Sequence, residues 1–199
     1  MQWRMVGRRG RAATWTIVGD LAQSSWPDPA ESAAARESAL GSKPRHDFHL
    51  STNYRNSSEI YEFAAEYAQR VGLNADLPDA VRSTGMAPAH LRTDDLESAV
   101  REQLGELAGS LEGTVGIVVP AARVGEVTRW VSSWPEYADD TGSPDSRIVV
   151  LTGLDTKGLE FDGIVVVEPQ EIEDEAPTGK ATLYVVYTRA TQRMVTLTS

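Results

Sequence analysis

The chain has 199 residues, of which 41% are hydrophobic and 24% charged, the balance of a soluble globular protein large enough to bury a core. It has no cysteine, three histidines and a net charge of -10. That excludes disulfides and thiolate metal sites, predicts no structural metal, and argues against strong nucleic-acid binding by this chain alone, because non-specific affinity comes from Lys and Arg displacing counterions. No apolar run is long enough to span a bilayer and no leader pattern opens the chain, so no membrane association and a cytoplasmic location are expected.

In chain order, residues 2–7 read as the end of a helix and 8–13 as a polar connection. Residues 14–18 (TWTIV) form a β-branched run ending in Gly-Asp, the pattern of a buried strand that delivers a loop. Residues 26–43 suit a loop with one short helix, and 47–50 a second strand. Asn56, with Glu59 three positions later, suits the cap of a helix whose apolar face is Ile60, Phe63, Ala64, Tyr67 and Val71. Residues 72–88 are turn-rich and 89–92 a short strand. From Thr93 onward Leu96, Val100, Leu104, Leu107 and Leu111 recur at helical spacing behind Asp94 and Asp95.

Strands at 115–119, 147–151, 163–167 and 194–198 then alternate with helices at 124–131 and 181–190, while 168–175 is an acidic surface stretch. Strands apolar on both faces, alternating with helices, predict an α/β fold: a parallel sheet covered by helices on each side.

Four short stretches carry the chemistry: GDLAQ at 19–23, NYR at 53–55, TKGLEF at 156–161 and YTRA at 187–190. Each sets a phosphate-facing or nucleotide-facing residue type at the edge of an expected strand or helix. Yet no Gly-rich phosphate loop with its Lys and Ser/Thr occurs in the chain, nor a convincing acidic strand end for Mg²⁺. The chain reads as half of a nucleotide machine, a fragment not expected to hydrolyse ATP alone.

In order and placement these stretches resemble motifs III, IV, V and VI of superfamily 1 helicases of the UvrD/Rep/PcrA type. MQWRM at 1–5, the GDLAQ form and KGLEFDGIVVVEP most resemble the actinobacterial HelD branch. The resemblance implies a RecA-like fold without its own phosphate loop. It divides the chain into a remnant of a first RecA-like domain at 1–25, a connection at 26–46 and a C-terminal RecA-like domain at 47–199.

It also implies ATP held between two such domains, with Mg²⁺ held mainly by a first domain that this chain lacks. Gln23 would sense the γ-phosphate. Arg55 and Arg189 would be the guanidinium groups facing it, a task suited to a planar, permanently charged fork. Tyr54 would stack on adenine, or else plug the space under the following helix. Glu160 would accept from the ribose hydroxyls, and Gly158 would let backbone approach the nucleotide.

Two positions depart from the pattern. Where translocating members carry Thr-x-His, this chain has Thr152, Gly153 and Leu154; Thr152 keeps a hydroxyl for a nucleic-acid phosphate, but the His is missing. One aromatic, Trp26, stands where the family has two; it stacks a base or is buried at a domain seam. The interval 56–147 has no room for the large insertion of classical members. The reading is therefore the motor-domain fragment of an ATP-dependent DNA helicase-like protein acting on single-stranded DNA. The alternatives are a HelD-like remodeller of RNA polymerase and a non-enzymatic interaction domain.

Overall fold

The computed structural model describes residues 2–9, 14–19, 29–75, 78–141 and 146–199. Five strands, all parallel, form the central sheet: β3 (Ala89–Arg92), β4 (Val115–Val119), β5 (Ile148–Thr152), β6 (Phe161–Val167) and β7 (Ala190–Thr198), in the order β3-β7-β6-β4-β5. Upstream, β1 (Thr52–Ser57) pairs in parallel with β2 (Asp79–Arg82) as a separate two-stranded sheet.

The helices are α1 (Gln2–Arg9), α2 (Pro29–Leu40), α3 (Ser58–Arg70), α4 (Leu96–Ser110), α5 (Val124–Ser133), α6 (Pro169–Asp174) and α7 (Gly179–Tyr187). Because side chains alternate across a strand, each central strand feeds two cores. Val118, Ile164, Val166 and Met194 pack with Ile60, Ala64 and Tyr67 of α3 and with Leu183 and Val186 of α7. On the opposite face Ile117, Val119, Val165, Val167, Val195 and Leu197 meet Val100, Leu104 and Leu107 of α4 and Val127 and Val131 of α5. This two-sided burial is why β4 and β6, in the middle of the sheet, are almost free of polar residues.

The fold class read from the sequence is thus observed, and β3 and β4 keep their expected bounds. Elsewhere the structure corrects the expectations. Residues 14–18 form no strand, and Val18 is 82% exposed; a β-branched run becomes a strand only beside a ladder partner, and none lies next to it among the described residues. The expected strand at 47–50 is also absent, with Phe48 90% exposed; the strand forms a few residues later, as β1, from the polar sequence TNYRNS. β2 arises in a segment expected to be only turns.

The cap of α3 is Ser57, whose hydroxyl accepts from Ile60 N, because Asn56 is used elsewhere. β7 begins at Ala190, inside the stretch expected to be helical, where pairing of Phe161 with Ala190 draws the chain into the sheet. The acidic stretch is not all surface. Glu168 is buried with a φ of 47°, its carboxylate accepting from Ser199 N at 2.8 Å, and Ile172 of α6 is wholly buried. Gly179 at the start of α7 is obligatory for space: a Cβ there would sit 1.8 Å from Glu173 O.

Glu59 of α3 ties that helix to the turn after β2. Its carboxylate accepts from the Ser83 hydroxyl, from Gly85 N at 2.8 Å and from Thr84 N at 3.3 Å. The Ser83 hydrogen bond, with the backbone donors, holds its pKa down at about 2 against an ordinary value of 4.5. A depressed carboxylate stabilises the fold fully above the unfolded value and loses that contribution as pH falls through the folded one. The melting-temperature advantage of the wild type over Glu59→Gln is therefore expected to be largest above pH 4.5 and to shrink toward pH 2; thermal melts across that range check it, and a difference independent of pH would contradict it.

Candidate functional site

Three of the four stretches meet at the amino ends of β6 and β7. The starting point is the NYR strand. Asn53 Oδ1 accepts from Arg55 N at 2.9 Å and Asn56 N at 3.2 Å, a local turn that Asn forms readily. Its Nδ2 donates to Asn56 Oδ1 at 3.0 Å. Asn56, 1% exposed, then donates through Nδ2 to Thr188 O at 2.9 Å and Ala190 O at 2.6 Å. This amide fixes β1 onto the junction between α7 and β7.

The clamp sets the position of Arg55. Its Nη1 donates to Glu160 Oε1 at 3.0 Å and its Nη2 to Thr188 O at 3.2 Å, while its buried Nε has no hydrogen-bond partner. Arg189 is only 4% exposed. Its Nε donates to Val185 O at 3.1 Å, Nη1 to Leu159 O at 3.4 Å and Nη2 to Thr188 Oγ1 at 3.2 Å. A buried guanidinium requires such acceptors. Both arginines therefore bond Thr188, one at its carbonyl and the other at its hydroxyl.

Tyr54 lies beside them on β1 with its side chain 74% exposed, so it does not plug the space under α3. Glu160 is not buried either: its side chain is 53% exposed and ion-paired with Arg55. Gly158 has a φ of 81° with nothing within 4 Å of where a Cβ would stand. The backbone sign, rather than crowding, is what calls for glycine there. Burial pushes the Lys157 ammonium below its ordinary value.

Thr152 stands apart at the carboxyl end of β5, its hydroxyl donating to Asp155 Oδ2 at 2.6 Å. Gln23 and Trp26 lie outside the described residues. No group of three or more His, Asp or Glu side chains able to hold a metal ion occurs among the described residues.

Sequence reasoning missed Asn56 and Thr188 as members of the site. Asn56 looked like a helix cap, and the usable signal was its place directly after NYR; Thr188 was inside YTRA but without an assigned role.

No family model matches the chain, and no curated protein does. Among solved structures it is similar to the C-terminal domain of a possible DNA helicase from Lactobacillus plantarum WCFS1, at 19% identity and a TM-score of 0.50, over 73% of this chain and 87% of that one. The fold is RecA-like. A further likeness, to a Sulfolobus solfataricus SWI2/SNF2 ATPase core in complex with dsDNA, has 14% identity and a TM-score of 0.37 over 77% of this chain and 34% of that one, too distant to carry an argument.

In this RecA-like domain the cluster is held by one amide. Replacing Asn56 with Ala leaves the buried Ala190 carbonyl without its side-chain donor and removes the acceptor of Asn53 Nδ2. The expected cost is about 1–3 kcal/mol, measured by denaturant unfolding. A change within error would contradict the clamp.

Proposed function

We propose that this chain is the second motor domain of an ATP-dependent, superfamily 1 helicase-like protein, supplying Arg55 and Arg189 to a nucleotide held against a first RecA-like domain. The observation that carries this proposal is the meeting of NYR, KGLEF and YTRA around Thr188, where two guanidinium groups, a carboxylate and an exposed tyrosine share one edge. The meeting of three motifs at one edge, with the Arg55 Nε left without a partner, favours nucleotide chemistry over a purely structural interaction module.

The residues present fit half of an ATP site. The unpartnered Nε of Arg55 leaves one donor to be satisfied, and Tyr54 offers an open ring face for adenine. They do not fit a whole site, because phosphate-loop and Mg²⁺ ligands are missing from the sequence. ATP with Mg²⁺, when bound, supplies the phosphoryl group that is cleaved.

Arg55 then exchanges Glu160 for a γ-phosphate oxygen, and Glu160 becomes free to accept from ribose hydroxyls. Arg189 joins it by leaving Leu159 O and Val185 O. Gly158 keeps the neighbouring backbone in the conformation that this edge needs. Gln23 senses the γ-phosphate from the remnant of the first domain at 1–25, joined through the connection 26–46, and Trp26 faces the nucleic acid or the seam. Closure on ATP and opening after hydrolysis move whatever the two domains grip.

For the gripped partner, one observation favours a HelD-like remodeller of RNA polymerase over a processive enzyme on single-stranded DNA. The Thr152 hydroxyl, the remaining group of the Thr-x-His position, is engaged by the Asp155 carboxylate, which repels a phosphate.

ATP turnover by the full-length parent protein, with and without single-stranded DNA at fixed salt, tests this function. Arg189→Ala and Arg55→Ala are each expected to lower turnover by about 10³-fold or more while ATP binding falls far less. Normal hydrolysis by either variant would contradict the assignment. Turnover indifferent to DNA would support the polymerase partner, and strong stimulation by DNA the helicase.

A further inference from the structure

A cavity of about 490 Å³ lies between α3, α6, α7 and the carboxyl halves of β3 and β7, within the roughly 300–1,000 Å³ range of ligand sites. Its inner wall, at Tyr187, adjoins Thr188 in the chain, and from there it extends along β7 away from the Thr188 cluster. From Ala190 to Thr196 β7 advances six residues, which at about 3.3 Å each is roughly 20 Å, so the end of the cavity at His90 and Thr196 is its far end.

One wall is a continuous run of rings. The centroids of His90 and Phe63 are 5.0 Å apart, those of Phe63 and Tyr187 4.9 Å, and those of Tyr187 and Tyr67 5.2 Å. Tyr67 and Tyr187 are buried, Phe63 is half-buried and His90 exposed, so the run passes from core to solvent. Thr196 Oγ1 holds the His90 ring through Nδ1 at 2.6 Å.

Two exposed guanidinium groups complete the lining. Arg70 lies over the Tyr67 ring at 5.4 Å, Arg92 extends from the edge strand, and neither forms an ion pair with a described residue. The one carboxylate in the lining, Glu173, is engaged by the Tyr67 hydroxyl at 2.7 Å. In a chain of net charge -10, a cavity with two unpaired arginines against one occupied carboxylate is a local reversal of sign.

Aromatic faces bind planar bases with little regard to sequence, and arginine forks bind phosphates. We infer that this cavity is a second nucleotide site, taking a base against Phe63 and His90 and its phosphate on Arg70 and Arg92. The shared chemistry is one nucleotide unit, either a free mononucleotide or a residue of a single strand. None of these four side chains belongs to the Thr188 cluster.

Titration calorimetry of the full chain with AMP and with a short 5′-phosphorylated oligothymidylate tests it, with thymidine as the phosphate-free control. Arg70→Ala and Arg92→Ala, both at exposed positions, are each expected to weaken binding about tenfold or more. Phe63→Leu, which keeps apolar volume but removes the ring, should weaken it too. The double variant Tyr54→Ala/Arg55→Ala, which disables the seam, should bind as the wild type does. AMP binding as tightly as the oligonucleotide identifies a free mononucleotide as the ligand, whereas binding of the oligonucleotide alone identifies a strand. Binding of neither probe, or binding lost in the seam variant and retained in Arg70→Ala and Arg92→Ala, would overturn the inference.

Discussion

The Asn56 amide is the point on which the arrangement of charged groups depends. β1 belongs to a separate two-stranded sheet, yet its carboxyl end is held by two hydrogen bonds from Asn56 to the backbone where α7 gives way to β7. They add to the packing of α3 on the sheet and to the Arg82 hydrogen bond to Thr191 O, and they act directly beside Arg55. With them its guanidinium is confined near Glu160 and Thr188. A buried amide with its carbonyl and NH₂ engaged is worth far more as a locator than as a source of net stability.

The same node explains how Arg189 can be buried. The last turn of α7 leaves carbonyls without helical donors, and Arg189 supplies one at Val185 O while reaching Leu159 O before β6. Its described partners thus include two backbone carbonyls and the Thr188 hydroxyl. Arg55 is held differently, by a half-exposed ion pair that solvent and salt weaken. The two arginines are thus held in unlike surroundings, Arg55 in a half-exposed ion pair and Arg189 in the interior.

Much of the fold was legible because it is written in hydrophobic periodicity. VGIVV and FDGIVVV are apolar on both faces and became central strands, and the 3.6-residue pattern of Ile60, Ala64 and Tyr67 became the buried face of α3. What was not legible depended on partners distant in sequence. TNYRNS has no strand-like pattern and is a strand because DAVR lies beside it; TWTIV has that pattern and is none among the described residues. In the candidate site, Arg55, Glu160 and Arg189 could be named from their motifs, but not that Asn56 joins them or that Glu160 is spent on Arg55. The cavity beneath Arg70 and Arg92 had no motif at all, since its walls come from five elements scattered from α3 to β7.

We propose that the Thr188 edge is half of a nucleotide site. Its most direct test is an experimental structure of the full-length parent protein with Mg²⁺ and a non-hydrolysable ATP analogue. The account predicts the γ-phosphate within about 3 Å of both the Arg55 and Arg189 guanidinium groups, with Glu160 released from Arg55 and Tyr54 against the adenine. Nucleotide bound elsewhere, with Arg55 still on Glu160 and Arg189 still on Leu159 O, would contradict it.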